Sequence, residues 1–391
     1  MIQTKNRRKA FLKAGFVCFS IILLIGFAWW LGQTEKTVLL SNEGRTFEKA
    51  RVVSIVEDNL TSEGTRAGYQ TVEVEILTGE HKGETLEATS SSSYLYGANC
   101  TVGLRVIVIV SESDDYMTVS VYNYDRGNQL YAILIFFLVV LGLIGGKKGW
   151  KSGLGLVFTF ACIIFLFIPM VYRGYSPILS AVFLVVLVTV VVMLLIDGWT
   201  VKSACAMAGT IFGVGIAAVS AELFGRFAHL SGYNVSDIED LIYIGEMTDI
   251  RIGGLMFAGI LISALGAVMD VAMSVASTVN EIHEKNPLLG RKELFLSGIH
   301  VGRDMMGTMS NTLILAFAGG SINTFIYIYS YNYAYYQVLN MYSVGLEILQ
   351  GVSATLGVIL TVPMVSFFTA GALKGFRFDK RWKGGEHEKE E

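Results

Sequence analysis

The chain has 391 residues, of which 53% are hydrophobic and 16% are charged, and its mean hydropathy is +0.54. These values exclude an ordinary soluble domain, because several apolar runs reach the ~20 residues with which a helix spans a bilayer. The formal net charge is −3 and no basic stripe typical of nucleic-acid-binding proteins is present, so the expected partner is the lipid bilayer and not nucleic acid.

The N-terminal segment 1–34 predicts a first transmembrane helix. Its apolar run, 14–31, is long, ends in Trp29 and Trp30, and lacks a small-x-small cleavage site, which favours an uncleaved anchor over a signal peptide. Five basic residues precede the run: Lys5, Arg7, Arg8, Lys9 and Lys13. By the positive-inside rule they place the N-terminus in the cytoplasm.

Residues 35–127 differ from the rest of the chain and predict a small extracytoplasmic β domain. The stretches RVVSIVED, YQTVEVEIL, LRVIVIVSE and MTVSVYNYD alternate apolar and polar residues, as half-buried strands do. We expect an OB-like or related barrel. Ser90–Ser93 are interpreted as a flexible loop, and His81 as a solvated loop residue in preference to a metal ligand.

From residue 128 to 372 the sequence predicts a core of seven further helices, followed by a charged cytoplasmic tail, 373–391. The predicted spans are 129–145, 152–172, 176–196, 202–224, 253–279, 299–328 and 343–371. With the first helix they make eight crossings and leave both termini in the cytoplasm. The strongly basic loops, around Lys148, Lys292 and Arg377, then all fall on one side.

Ionisable residues inside two of these spans form the candidate site. Asp270 lies in one span, and Arg303 and Asp304 lie in the next. Because a charge in mid-membrane costs a few kcal/mol, such residues usually face a bundle interior and pair with one another. We therefore expect Asp270 and Arg303 to pair, with Asp270 about 25 Å down its helix and Arg303 about one turn into the next helix.

Polar and small residues accompany these charges at helical spacing. The polar residues expected to support them are Ser274, Ser277, Thr308, Ser310, Asn311 and Thr312, and the glycines expected to pack helices are Gly266, Gly302, Gly307, Gly319 and Gly320. Two simpler interpretations stay open. The charges can be structural salt bridges that snorkel to headgroups, and the hydroxyls can bond to neighbouring helices.

No catalytic, cofactor or metal motif emerges. The sequence contains no phosphate-binding glycine loop, no HExxH and no nucleophile elbow. Gly209, Gly213 and Gly215 are better explained by helix packing. We therefore expect no enzyme activity, no cofactor and no metal.

Two stretches, GAVMDVAMSVAS and GRDMMGTMSNTLILAFAGG, give the chain a family resemblance. Residues 130–372 resemble the YibE/F family of multi-pass bacterial membrane proteins. The resemblance implies a location in the bacterial plasma membrane and no defined activity.

A more distant resemblance is to the membrane core of SecF and the RND permeases. There an intramembrane Asp, an inner linker and an Arg before a Thr/Ser-rich run match Asp270, Arg303 and the run through Thr312. The resemblance implies a role for Asp270 and Arg303 in proton movement. It also implies a homodimer or a related membrane subunit, since such pumps have two halves and this chain has one. Asp304, directly after the Arg, departs from the pattern.

Two functions follow as alternatives. The first is a proton-coupled transporter or permease-like protein in which Asp270 is a protonatable switch. The second is a non-transporting scaffold or accessory factor in envelope assembly or protein export, with the β domain as its working part. No substrate is indicated by the sequence.

Overall fold

The computed structural model describes residues 26–27, 29–33, 43–61, 66–91, 97–113, 116–233 and 238–374. The chain divides into two compact units, Val38–Ile144 and a second unit made of Met1–Thr37 with Gly145–Glu391. Most of the predicted first span, 14–31, and nearly all of the charged tail, 373–391, lie outside the described residues. Residues 29–32 are helical, and Leu31 is buried in the core of the second unit.

The first unit contains a closed five-stranded barrel, which confirms the predicted β domain. Its strands are β1 (Arg45–Glu57), β2 (Tyr69–Ile76), β3 (Thr85–Ser91), β4 (Arg105–Ser113) and β5 (Tyr116–Tyr124). They close in the order β1-β2-β3-β5-β4, with β1 paired to β4 and with β3 parallel to β5. This is the strand order of an OB-type barrel.

The barrel core follows from strict alternation along the strands. In β2, Val72, Val74 and Ile76 point inward between exposed or half-buried neighbours, because successive side chains of a strand face opposite ways. Polar side chains inside the barrel are satisfied. The Gln70 amide donates to the Cys100 carbonyl at 3.1 Å and accepts from the Cys100 N–H at 2.9 Å.

The expected Ser90–Ser93 loop is wrong for Ser90 and Ser91, whereas Ser92 and Ser93 lie outside the described residues. Ser90 and Ser91 belong to β3, and Ser90 is buried, where its hydroxyl donates to the Ala98 carbonyl at 2.7 Å and accepts from the Ala98 N–H at 2.9 Å. A serine hydroxyl can lie in an apolar interior when it is hydrogen-bonded to both the N–H and the carbonyl of one backbone residue. The run of serines in the sequence does not reveal such a partner.

The remainder of the described chain is helical. The helices are α1 (Gly127–Cys162), α2 (Ile168–Tyr172), α3 (Pro177–Asp197), α4 (Val201–Phe227), α5 (Ile238–Met247), α6 (Leu255–Lys285), α7 (Arg291–Gly320), α8 (Ile322–Ser330), α9 (Tyr335–Leu339) and α10 (Tyr342–Lys374). Within the described residues, five helical segments are long and apolar enough to cross a membrane, or six if the bent pair α7–α8 is one span. The predicted mostly helical architecture with several apolar spans is confirmed, whereas the predicted number of eight crossings stays a prediction.

Two predicted spans fall within one helical segment that is broken at Gly146. The segments 129–145 and 152–172 both fall within Gly127–Tyr172, which is 46 residues long and includes a π-helical stretch at Ile163–Phe167. Its helical geometry breaks at Gly146, whose φ of 54° and ψ of −139° are accessible to glycine and not to residues with a β-carbon.

The α6–α7 pair extends further than the sequence predicts. Helix α7 begins at Arg291 and not near 299, so Arg303 lies about 18 Å along its helix, and the expected depth of one turn is wrong. The polar residues at this end are good helix formers, which lengthens both helices. At its other end α7 stops at Gly320, and the chain bends by 60° into α8.

Close contact between α4 and α10 organises the helical core. A β-carbon at Gly209 would lie 2.0 Å from Val365 Cγ2, and one at Gly357 would lie 2.8 Å from the Gly213 carbonyl oxygen. Only glycine permits backbones to approach so closely. The packing role expected for Gly209 and Gly213 is therefore found here, whereas Gly215 has no neighbour within 4 Å among the described atoms.

Candidate functional site

The candidate site lies on the hairpin of α6 and α7. The link between the two helices is short because Pro287 cannot continue α6 and because the Gly290 N–H, at the start of α7, donates to the Glu293 carboxylate at 2.7 Å. Lys374, at the end of α10, donates to the Pro287 carbonyl, and the Arg291 guanidinium stacks 4.9 Å from the centre of the Phe367 ring. The turn is thereby fixed to α10.

The register of the hairpin follows from one contact. A β-carbon at Gly298 would lie 2.8 Å from Cγ2 of Val279, so these two residues are at the same level of α7 and α6. Asp270 is nine residues from Val279, and Arg303 is five residues from Gly298. At 1.5 Å per residue the two charged residues differ in depth by about 6 Å.

Asp270 lies on the outer face of α6. The buried residues of this helix, including Ala264, Val268 and Val271, face the bundle. Asp270 is exposed on the opposite side, in one stripe with Gly259, Ser263 and Gly266. Apart from the backbone of α6 itself, a β-carbon at Gly259 or Gly266 would have no described atom within 4 Å. The carboxylate therefore lies at an open, small-residue surface.

The polar residues of α7 also face outward. Leu294, Gly298 and Gly302 form its buried face. The exposed residues of the middle of α7 are Arg303, Asp304, Gly307, Thr308, Asn311 and Thr312, whereas Ser310 is half-buried, as are Ser274 and Ser277 of α6. We call the exposed stripes of α6 and α7, from Gly259 to Asp270 and from Arg303 to Thr312, the polar face of the hairpin.

The expected contact between Asp270 and Arg303 is not made. Among the described residues, neither they nor Asp304 have an oppositely charged partner within 4.0 Å. Both side chains project from outward faces and not from the buried surface where α6 meets α7. A match in depth is necessary for a pair but does not orient two side chains towards each other.

The hydroxyls of α7 bond within their own helix. Thr308 Oγ1 donates to the Met305 carbonyl at 3.0 Å, and Thr312 Oγ1 donates to the Thr308 carbonyl at 2.9 Å. Ser310 Oγ donates in the same way to the Met306 carbonyl. The interpretation that these hydroxyls bond to neighbouring helices is wrong for these three residues, because each hydroxyl donates to a carbonyl three or four residues earlier in its own helix.

Of the five glycines assigned to packing, Gly302 alone contacts a neighbour. A β-carbon there would lie 2.1 Å from Val362 Cγ1 of α10. At Gly266, Gly307, Gly319 and Gly320 the same position has no described atom within 4 Å. Sequence reasoning overlooked Gly298, which is buried against Val279 and Ser366. The sequence does contain an indication of this contact, since Gly298 and Gly302 form a GxxxG pair, which is typical of closely packed membrane helices.

The comparison with protein families covers this hairpin and the helices around it. The YibE/F-like protein family matches residues 133–375, well over half of the chain. The chain belongs to the YibE/F-like family. No curated protein and no solved structure matches it. The matched region begins after the barrel, and the more distant resemblance to SecF and the RND permeases stays a prediction.

One further polar contact of this YibE/F-like chain lies at the bend between α7 and α8. The Ser321 hydroxyl donates to the Glu347 carboxylate of α10, whose second oxygen is buried without a hydrogen-bond partner among the described residues. The pairing with Ser321 was not predictable, because it depends on the bend.

The charged residues of the barrel in this family member are arranged differently. His81 Nδ1 lies 2.9 Å from the Glu84 carboxylate, and Nε2 contacts the Glu112 carboxylate. Hydrogen bonds to Glu112 and then to Glu84 raise the pKa of the His81 imidazole above its ordinary value. His81 is thus an ion-paired residue that joins the β2–β3 turn to β4. No group of three His, Cys, Asp or Glu side chains suited to a metal occurs within the described residues.

Proposed function

We propose that this YibE/F-like protein is a proton-coupled, permease-like protein of the bacterial plasma membrane, and that Asp270 is the group that gains and loses the proton. The observation that carries the proposal is the position of Asp270 in the middle of an apolar helix, on an outward face, without a cationic partner among the described residues of its own chain. Intramembrane carboxylates are costly and are typically part of ion or proton pathways.

Among the described residues, the largely or partly buried carboxylates Asp197 and Glu347 lie near helix ends and not in mid-helix. The fully buried polar side chains of the described helices are all hydroxyls: Ser180, Thr189, Ser203, Thr210, Ser353, Thr361, Ser366 and Thr369. Hydroxyls can relay a hydrogen bond but cannot hold a charge near neutral pH. A protonatable switch in the middle of a membrane helix is therefore proposed to use the polar face of the hairpin.

The proposed topology has eight crossings, both termini in the cytoplasm and the barrel outside. The segment Gly127–Tyr172 is about 69 Å long as a helix, more than twice the ~30 Å hydrocarbon thickness, so it provides two crossings with the break at Gly146 between them. Lys147 and Lys148 directly follow the break and belong on the cytoplasmic side.

A second copy of the chain is the proposed partner at the polar face. An arginine or aspartate facing lipid costs roughly 2.5–3.5 kcal/mol on insertion scales, so Asp270, Arg303 and Asp304 favour a protein neighbour. In a two-fold dimer about the membrane normal, equivalent residues keep their depth. Arg303 of one copy is then within about 6 Å in depth of Asp270 in the other copy, which an arginine side chain can reach.

Under this proposal, protonation of Asp270 changes the charge of the dimer interface. The ionised carboxylate is stabilised by a facing arginine, whereas the neutral acid is compatible with apolar surroundings. The two protonation states therefore favour two arrangements of the interface, and alternation between them is what a proton-coupled device requires. No enzymatic activity and no cofactor is part of the proposal.

The second candidate function is a scaffold in envelope assembly or protein export. It is favoured by the barrel, which has its own core and its own satisfied polar interior, and by the hydroxyls of α7, which are occupied within their helix. On this account the polar face only binds a partner and carries no proton.

Proton flux in proteoliposomes separates the two functions. Asp270→Asn keeps the shape of the side chain and removes its titration. The proposal predicts normal assembly and a loss of flux of at least about tenfold, which corresponds to 1.4 kcal/mol. Asp249→Asn, at an exposed carboxylate outside the candidate spans, should retain wild-type flux. Wild-type flux in Asp270→Asn, or none in the wild-type protein, would favour the scaffold.

A further inference from the structure

A lysine cluster surrounds the end of α3. Lys148 of α1 and Lys202 of α4 lie 3.7 Å and 3.2 Å from the Asp197 carboxylate, and Lys151 Nζ donates to the Ile196 carbonyl at 3.3 Å. With Lys147, which precedes Lys148 directly in the sequence, the cluster comprises four lysines and one aspartate. The formal charge of this lysine cluster is +3.

The packing of the helices builds this arrangement. A β-carbon at Gly155 would lie 3.2 Å from Val192 Cγ1, which aligns the second half of α1 antiparallel to α3 and sets Lys151 beside Ile196. Helix α3 ends at Asp197, where Gly198 has a φ of 72°, and α4 starts three residues later with its Thr200 cap. The carbonyl end of a helix is partly negative and attracts lysines.

Lys147 and Lys148 are not needed to neutralise Asp197 or to bind the end of α3. Asp197 is largely buried, with 9% of its side chain exposed, and Lys202 is its nearer partner. Lys148 is the more distant one and remains 74% exposed, and Lys147 is exposed beside it. Lys202 neutralises Asp197, and Lys151 binds a carbonyl at the end of α3. The positive charges of Lys147 and Lys148 therefore face outward and are available to a ligand.

Exposed aromatic and apolar residues border the cluster. Trp150 and Trp199 are 52% and 60% exposed, and Leu154, one turn further along α1, is 60% exposed. Tryptophan is enriched at the boundary between headgroups and hydrocarbon. The lysines thus lie at headgroup level, with apolar helix surface continuing below them.

We propose that the lysine cluster binds the phosphate of an anionic phospholipid, whose acyl chains lie along the apolar surface of α1. Basic clusters between helix ends on the cytoplasmic side recognise such headgroups, and each lysine contributes roughly fivefold in affinity. This inference rests on the proposed membrane insertion but not on any role of Asp270.

Native mass spectrometry of the full-length protein, titrated with phosphatidylglycerol or with phosphatidylcholine of the same acyl chains, tests the site. We expect the wild type to retain phosphatidylglycerol preferentially. The double variant Lys147→Gln/Lys148→Gln should bind it about 25-fold more weakly. The matched control Lys285→Gln/Lys292→Gln removes two exposed lysines of the α6–α7 link, and Lys147→Arg/Lys148→Arg keeps the charge. Both should retain wild-type preference.

Three outcomes would overturn the inference: no preference in the wild type, equal losses in the two glutamine variants, or displacement of the lipid by inorganic phosphate, which would indicate a soluble anion. Extraction of the membranes with alkaline carbonate checks insertion separately. A protein that stays in the membrane but shows no preference for phosphatidylglycerol contradicts the lysine site alone.

Discussion

The barrel and the polar face of the hairpin differ in whether their polar side chains have partners within the described chain. Inside the barrel, Gln70 and Ser90 are each hydrogen-bonded through both donor and acceptor, and Asp125 is paired with Lys49 at 3.3 Å. On the hairpin, Asp270, Arg303 and Asp304 have no charged partner within the described chain. A region that satisfies its own polar groups can fold alone, and one that does not points to a neighbour or to chemistry.

The sharpest test of the self-contained barrel is the removal of Gln70. Gln70→Ala leaves the N–H and the carbonyl of Cys100 buried without partners, and each such group costs roughly 1–3 kcal/mol. We expect the free energy of unfolding of residues 36–126, which should fold as a separate soluble unit, to fall by about 2–6 kcal/mol in urea denaturation.

The control for this experiment is Thr89→Ala on the exposed face of β3. It should change the free energy of unfolding by less than about 1 kcal/mol. Equal effects of the two substitutions would contradict the importance of the buried hydrogen bonds.

The same change, glycine to valine, can be made on the buried side and on the exposed side of α7. Gly302→Val places a side chain against Val362, and overpacking of this kind costs about 1–3 kcal/mol. Gly307→Val, on the polar face, meets no described atom within 4 Å. We expect a lower melting temperature for Gly302→Val in detergent, whereas Gly307→Val should keep its melting temperature and weaken dimerisation. A lower melting temperature for Gly307→Val than for Gly302→Val would contradict the assignment of Gly302 to the packed side and of Gly307 to the exposed side.

The ion pairs of His81 give the barrel a pH dependence. Because the pKa of His81 is raised in the folded state, its contribution to stability is fully present below the unfolded pKa of about 6.5 and is lost as the pH rises through the folded-state pKa. The urea midpoint of the barrel should therefore decrease as the pH rises above about 6.5. His81→Gln should flatten this change, and an unchanged slope would exclude His81 as its source.

The smallest expected effect concerns two carboxylates on the outer surface of the barrel. Glu73 of β2 and Glu87 of β3 are exposed and directly opposite in register. Like charges in this position destabilise a sheet by roughly 0.2–1 kcal/mol. Glu87→Thr should raise the urea midpoint, and added salt should reduce the difference from wild type. A lower midpoint would show that Glu87 has a favourable contact.

The sequence predicts a great deal of this architecture, because periodicity and length are local signals. The alternation in YQTVEVEIL predicts β2, and the long apolar runs predict the helical core. The buried state of Ser90 was missed because it depends on Ala98, eight residues away. The early start of α7 at Arg291 was missed because the predicted span followed hydropathy and not helix propensity.

The candidate site could be predicted in its residues but not in its geometry. Asp270 and Arg303 stand out because charge inside an apolar run is rare. Whether they meet depends on which face of each helix packs inward, and the glycines decide this. Gly298 and Gly302 turn one side of α7 towards α6 and α10, so the charged side faces outward.

Disulfide cross-linking tests most directly whether a second copy covers the polar face. In a background with Cys18 replaced by serine, Ser263→Cys places a thiol on the exposed stripe of α6 that the second copy is proposed to cover, whereas the three other cysteines are buried. A disulfide forms only when the two Cα atoms approach within about 7 Å. The account predicts a cross-linked dimer for Ser263→Cys in native membranes and none for Val219→Cys, on the exposed surface of α4. A monomeric Ser263→Cys beside a cross-linked Val219→Cys would contradict it.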